Sequence, residues 1–131
     1  MEQVIEFEVN EVMHLPFGLM VSGRCWDAEF GIGDVFTELR WSQSERHGSP
    51  PQYKRVAEGI AAEVRLRVDE ISAYNRLIDR MYPGLTASIR FSGTGLEMLA
   101  CIDFISDIRV GKSWFLRGHI RTELGAASSL S

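Results

Sequence analysis

The chain has 131 residues, 45% of them apolar and only four prolines, enough for one hydrophobic core and short for two. Fourteen Lys and Arg against eighteen Asp and Glu give a net charge of −4, so the summed positive field that draws phosphate backbones to a surface is missing and nonspecific nucleic-acid binding is disfavoured. The charge is uneven: residues 1–38 hold eight acids against Arg24 alone, net −7, which leaves +3 for the remainder.

Residues 1–10 carry acids and alternate in polarity, where a leader or anchor needs a basic stretch or a continuous apolar run. They read as neither a signal peptide nor a membrane span, and a cytoplasmic protein is expected. In 3–13, Ile5, Phe7, Val9 and Met13 alternate with Glu6, Glu8 and Asn10, which predicts a half-buried strand. Leu15-Pro16-Phe17-Gly18 is a turn, and 19–26 resumes as a second strand of the same hairpin. Gly31 and Gly33 mark a tight turn before a third strand, 35–41, rich in β-branched and aromatic residues. Residues 42–51 are polar and contain Gly48, Pro50 and Pro51, the composition of a loop. Beyond it Tyr53, Val56, Ala57 and Ile60 fall at i, i+3, i+4 and i+7, so a short helix fits. Gly59 weakens that helix by about 1 kcal/mol relative to alanine, and 42–63 as a whole is expected as a loop, helical in part or disordered.

Val64, Leu66 and Val68 return to period two and predict a strand running towards residue 74. Tyr74, Leu77, Ile78 and Met81 have helical spacing cut short at Pro83-Gly84, which suits one or two helical turns. Residues 85–91 alternate as another strand. The nearly continuous apolar run 96–105 reads as a strand covered on both faces, although its periodicity also allows a buried helix. A last strand covers 113–121, and the small-residue tail 125–131 is expected to fray. With no repeats, the expectation is one domain over 1–131, its core at about 4–121. The fold class is all-β: a six-stranded, mostly antiparallel closed β-barrel with one or two short helical segments.

No motif points to catalysis, a metal or a cofactor. Cys25 and Cys101 are 76 positions apart with no further Cys or His at ligand spacing, so both read as small buried apolar side chains, not zinc ligands. Gly111-Lys112-Ser113 ends like a phosphate loop, but Ser106 stands where that loop needs its first glycine; Gly31-Ile32-Gly33 begins a dinucleotide fingerprint, but Phe36 takes the place of its last glycine. His14, His47 and His119 lie in separate segments, and no serine sits in a nucleophile elbow. The four methionines Met13, Met20, Met81 and Met98 read as core fillers. Candidate binding residues are Glu6, Glu8 and Glu11, whose charges have no evident structural duty, and Trp26 and Trp41, which flank the third strand.

The stretch 21–34, with Gly23-Arg24 at the end of a strand, then Phe30, Ile32 and Gly33-Asp34 in register, resembles the signature of the second domain of elongation factor Tu and related translational GTPases. Looser matches follow in order: 7–15, 64–74, Pro83-Gly84 with 85–91, and the closing Leu116-Arg117-Gly118-His119-Ile120. The resemblance spans about residues 4–121 and implies a six-stranded barrel in which Gly23, Arg24, Gly33 and Asp34 are turn-forming residues. In that family the barrel stands beside a GTPase domain and helps contact the ribosome or the aminoacyl end of transfer RNA.

The expectation for function is a non-catalytic binding module, an accessory or immunity-like protein that takes a protein partner through its acidic hairpin. A ribosome- or tRNA-associated module using Arg65, Arg67, Arg90, Arg117 and Arg121 is the alternative, since twelve of the fourteen basic residues are arginine. A small-molecule enzyme is the third.

Overall fold

In the computed structural model, which describes residues 2–121, the alternation of the first segment becomes β1 (Glu2–Leu15), with Ile5, Phe7 and Val9 buried. Its partner β2 (Gly18–Asp27) pairs antiparallel from Leu15↔Gly18 to Ile5↔Asp27, with a bulge between Val9 and Glu11. Then come β3 (Phe30–Gly31), β4 (Val35–His47), β5 (Gln52–Ala73), β6 (Arg76–Ile78), β7 (Arg80–Met81), β8 (Thr86–Thr94), the helices α1 (Leu96–Ala100) and α2 (Phe104–Arg109), and β9 (Lys112–Arg121).

Six strands form a ring in the order β4, β9, β1, β2, β8, β5, and the β4–β5 pairing closes it; every pairing is antiparallel. The expected six-stranded antiparallel barrel with two short helices is therefore what the chain adopts. Its interior is filled by a cycle of four phenylalanines meeting edge to face: Phe7–Phe30 at 6.0 Å, Phe30–Phe36 at 5.0 Å, Phe36–Phe91 at 5.9 Å and Phe91–Phe7 at 6.3 Å. Phe30 comes from the two-residue strand β3, which pairs with β7 through Phe30↔Met81 and plugs the ring from one side.

Of the four residues expected to form turns, Gly33 and Asp34 do lie between β3 and β4, whereas Gly23 and Arg24 are corrected: they sit within β2, paired with Val9 and Glu8 of β1. Gly33 has φ 95°, its N–H donates to the Val68 carbonyl at 2.8 Å, and the Gly31 N–H donates to the Asp34 carboxylate at 2.7 Å. At Gly23 a Cβ would strike the Glu8 carbonyl oxygen and come within 2.8 Å of the Phe7 ring, so only glycine lets β1 and β2 approach this closely.

Several sequence expectations are corrected. Residues 42–63 are no loop: β4 continues to His47, a turn covers 48–51, and β5 begins at Gln52. Bulges explain the misreading. Ser44, Ser42, Arg40 and Glu38 pair with Arg55, Glu58, Ile60 and Glu63, so side chains on one face of β5 recur after three, two and three residues, a rhythm close to helical. Residues 74–81 are not helical turns but the hairpin end of β5 with β6 and β7. The run 96–105 is two helices, not a strand: Leu99 is buried, Leu96 and Ile102 pack beside it at three-residue intervals, and Asp103 caps α2 by accepting from the Ser106 N–H at 3.1 Å. Cys101 and Met98 on this segment are exposed, against the expectation of core positions, whereas Cys25 is buried. The tail 125–131 lies outside the described residues. Among those described, no helix is long and apolar enough to cross a membrane.

Candidate functional site

The ring's outer end near β6 and β7 carries a cleft of about 660 Å³, lined by Tyr74, Arg76, Arg80, Tyr82 and Leu85 among others. Its rim is a two-residue hairpin. Tyr74 and Asn75 have φ 54° and 63°, the left-handed pair that a tight turn between right-twisted strands needs, and β6 folds back through Ala73↔Arg76 and Ile71↔Ile78. Asparagine tolerates that conformation; a tyrosine there is strained by about 1–3 kcal/mol. The ring of Tyr74 gains no burial in return, for it is 85% exposed.

The opposite wall is a second turn, Tyr82-Pro83-Gly84-Leu85. The Leu85 N–H donates to the Tyr82 carbonyl at 2.9 Å and Gly84 has φ 90°, which is the geometry of a proline-glycine type II turn. It is bolted to β2: the Gly84 N–H donates to the Cys25 carbonyl and the Cys25 N–H to the Leu85 carbonyl, both at 2.9 Å. Tyr82 is 53% exposed. Arg80 is tied to Glu29 at 3.2 Å, whereas Arg76 belongs to no ion pair among the described residues. The cleft thus offers two amphipathic rings and, at Arg76, a guanidinium outside every ion pair among the described residues.

The candidates read from sequence sit elsewhere. Glu6 and Trp26 come together on the outer wall of β1 and β2, around a smaller cleft of about 300 Å³ that also meets Arg55, Phe115 and Arg117. Glu6 is only 8% exposed and accepts from Arg117 Nε at 3.0 Å; Glu8 accepts from Trp26 Nε1 at 2.8 Å. Arg24 stacks 4.7 Å from the centre of the Trp26 ring. Glu11 is exposed beyond the β1 bulge, and Trp41, half-buried on β4, lies over Gly59. The idea that these acids lack structural duty is corrected for Glu6 and Glu8, though not for Glu11. Glu6 meets Arg117, Glu29 meets Arg80 and Glu38 meets Arg40 at 3.2 Å, so three of the eight acids of the first third are paired with an arginine, and Glu2 lies 3.0 Å from His119. Sequence reading missed Tyr74, Arg76 and Tyr82 as a group. The adjacent Tyr-Asn before a short apolar pair was the available signal.

Burial, then the charges of Asp27 and Glu29, push the Cys25 thiol up to about 11, which keeps it protonated and unreactive. The Ser106 backbone N–H, then its hydroxyl, hold the Asp103 carboxyl below its ordinary range, as befits a helix cap.

Comparison with protein-family models, curated proteins and solved structures found no match to this chain. The likeness of Gly23-Arg24 to Gly33-Asp34 therefore rests on sequence alone.

Proposed function

We propose that this chain is a cytoplasmic, non-catalytic binding module on a translation-factor-like barrel, and that it grips a protein partner in the cleft between Tyr74 and Tyr82. One observation carries the reading: Tyr74 is held at a strained φ of 54° with 85% of its surface exposed, a cost that little packing among the described residues repays. Tyrosine and arginine are the side chains that anchor protein interfaces, because each brings a large apolar area with a polar tip and few rotors to freeze. A barrel interior filled by four phenylalanines leaves recognition to the outside.

Replacing Tyr74 by glycine separates binding from stability. The variant relieves the backbone strain and deletes the ring, so the fold holds or gains about 1 kcal/mol while capture of the partner from native lysate is lost. Equal capture by wild type and by the Tyr74→Gly, Tyr82→Ala double variant would place recognition elsewhere.

A second reading, a ribosome- or tRNA-associated module, is favoured by Arg65 and Arg67. Both project from β5 opposite Thr94 and Ser92 and are outside every ion pair among the described residues. The other arginines named for it are weaker supports, since Arg90 pairs with Glu70 at 3.3 Å and Arg117 with Glu6; the side chain of Arg121 is not described. It requires tRNA affinity that falls steeply between about 50 and 200 mM salt.

A further inference from the structure

The β4–β5 ribbon extends past the ring. β4 parts from β9 after Gln43↔Lys112, and β5 meets β8 only from Arg65↔Thr94 onwards. Among the described residues, 52–63 therefore pair on their β4 side only. A two-stranded ribbon is marginal in water, and an open edge offers unpaired N–H and C=O groups to another strand. Tyr53, Val56 and Ile60 on this stretch are 74%, 48% and 53% exposed.

We propose that this edge of β5 pairs antiparallel with the same edge of a second copy, about a two-fold axis at Gly59, joining two ribbons into one four-stranded sheet. The argument for a second copy is charge complementarity. Arg55, Glu58, Ile60 and Glu63 share one face, because their partners Ser44, Ser42, Arg40 and Glu38 alternate along β4. Within one copy Arg55 pairs with Glu58 at 2.7 Å and lies over the Phe115 ring; with the axis at Gly59 it also comes opposite Glu63 of the other copy while Glu58 meets Ile60, so one register sets each arginine between two carboxylates and creates no like-charge contact. On the opposite face Gly59 meets Gly59, each beneath the Trp41 ring of its own copy and flanked by alanines at 57 and 61. The unpaired residues of the two bulges, Val56 and Ala61, both lie between Arg55 and Glu63, so antiparallel copies keep the same residue count and Arg55 still reaches Glu63. An axis at Val56 would bring Lys54 opposite Glu58, but the bulge puts those two side chains on opposite faces.

Sedimentation velocity on the full chain over about 1 to 100 µM tests the proposal, with dimer mass expected at the upper end. Arg55→Glu and Glu63→Arg each weaken the dimer by at least about tenfold, because each creates two like-charge contacts, and the double variant R55E/E63R restores it. Hydrogen exchange on the unmodified protein gives a readout independent of any variant: amides of 52–63 become protected as concentration rises. A chain that stays monomeric over this range, a dimer indifferent to both single reversals, a double variant that does not recover, or protection confined to other strands would each overturn the pairing. So would 52–63 being covered by a different protein in a purified native complex.

Discussion

Replacing Phe30 by alanine links the core to the cleft. Phe30 is fully buried, meets two rings of the phenylalanine cycle, and sits on β3, whose partner β7 carries Arg80 of the cleft wall. Truncating a buried phenylalanine removes its transfer free energy and leaves a cavity, together about 3–5 kcal/mol. The two edge-to-face contacts account for about 0.5–1.5 kcal/mol each, so leucine, which refills most of the volume without a ring, costs about 1–3 kcal/mol. Against a total of about 5–15 kcal/mol the alanine variant remains folded but marginal. Urea unfolding followed by circular dichroism orders the three proteins as wild type, leucine, alanine. The loss should be felt first where the plug is thin: exchange at the Met81 amide, opposite Phe30, accelerates more than exchange along β1. An alanine variant that loses less than about 1 kcal/mol, or whose β7 amides slow or speed only in step with β1, would refute this coupling of plug to cleft.

The two cysteines should differ by environment: near pH 8 iodoacetamide adds once, at exposed Cys101, and a second time only after unfolding, as intact-mass spectrometry would show. Cys25 holds its proton more tightly folded than unfolded, so stability is unaffected below about 9.0 and falls as pH climbs towards 11; Cys25→Ala should flatten that part of the alkaline denaturation curve. Gly23→Ala should cost about 1–3 kcal/mol, since its methyl meets the Glu8 backbone; Gly33→Ala, which has open space and loses only its φ of 95°, should cost less, and urea titrations giving the reverse order would count against the close approach.

The strands with one buried face announced themselves. Ile5, Phe7 and Val9, or Ala87, Ile89 and Phe91, repeat every second residue because the ring turns one face of these stretches inward. The ribbon did not, because its bulges at Val56 and Ala61 break that rhythm locally while pairing with β4 preserves the strand. The cleft was hidden for a different reason. Tyr74 is placed in a left-handed turn by the return of β6 onto β5, a tertiary demand that tyrosine's own preferences oppose. Glu6 illustrates the limit for charge: its partner Arg117 lies 111 residues away, so counting acids in the first third could not reveal that pairing.

The last described strand is the one that completes the ring, for β9 lies between β1 and β4. Until it is made, the emerging chain holds β1 and β4 with one flank each unsatisfied, and neither can find the other directly. Synthesis therefore passes through an open sheet with two sticky margins, and closure arrives in a single late step when β9 slides in between. A ribosome stalled before residue 112 would carry a chain suited to aggregation and to chaperones, however stable the finished barrel is.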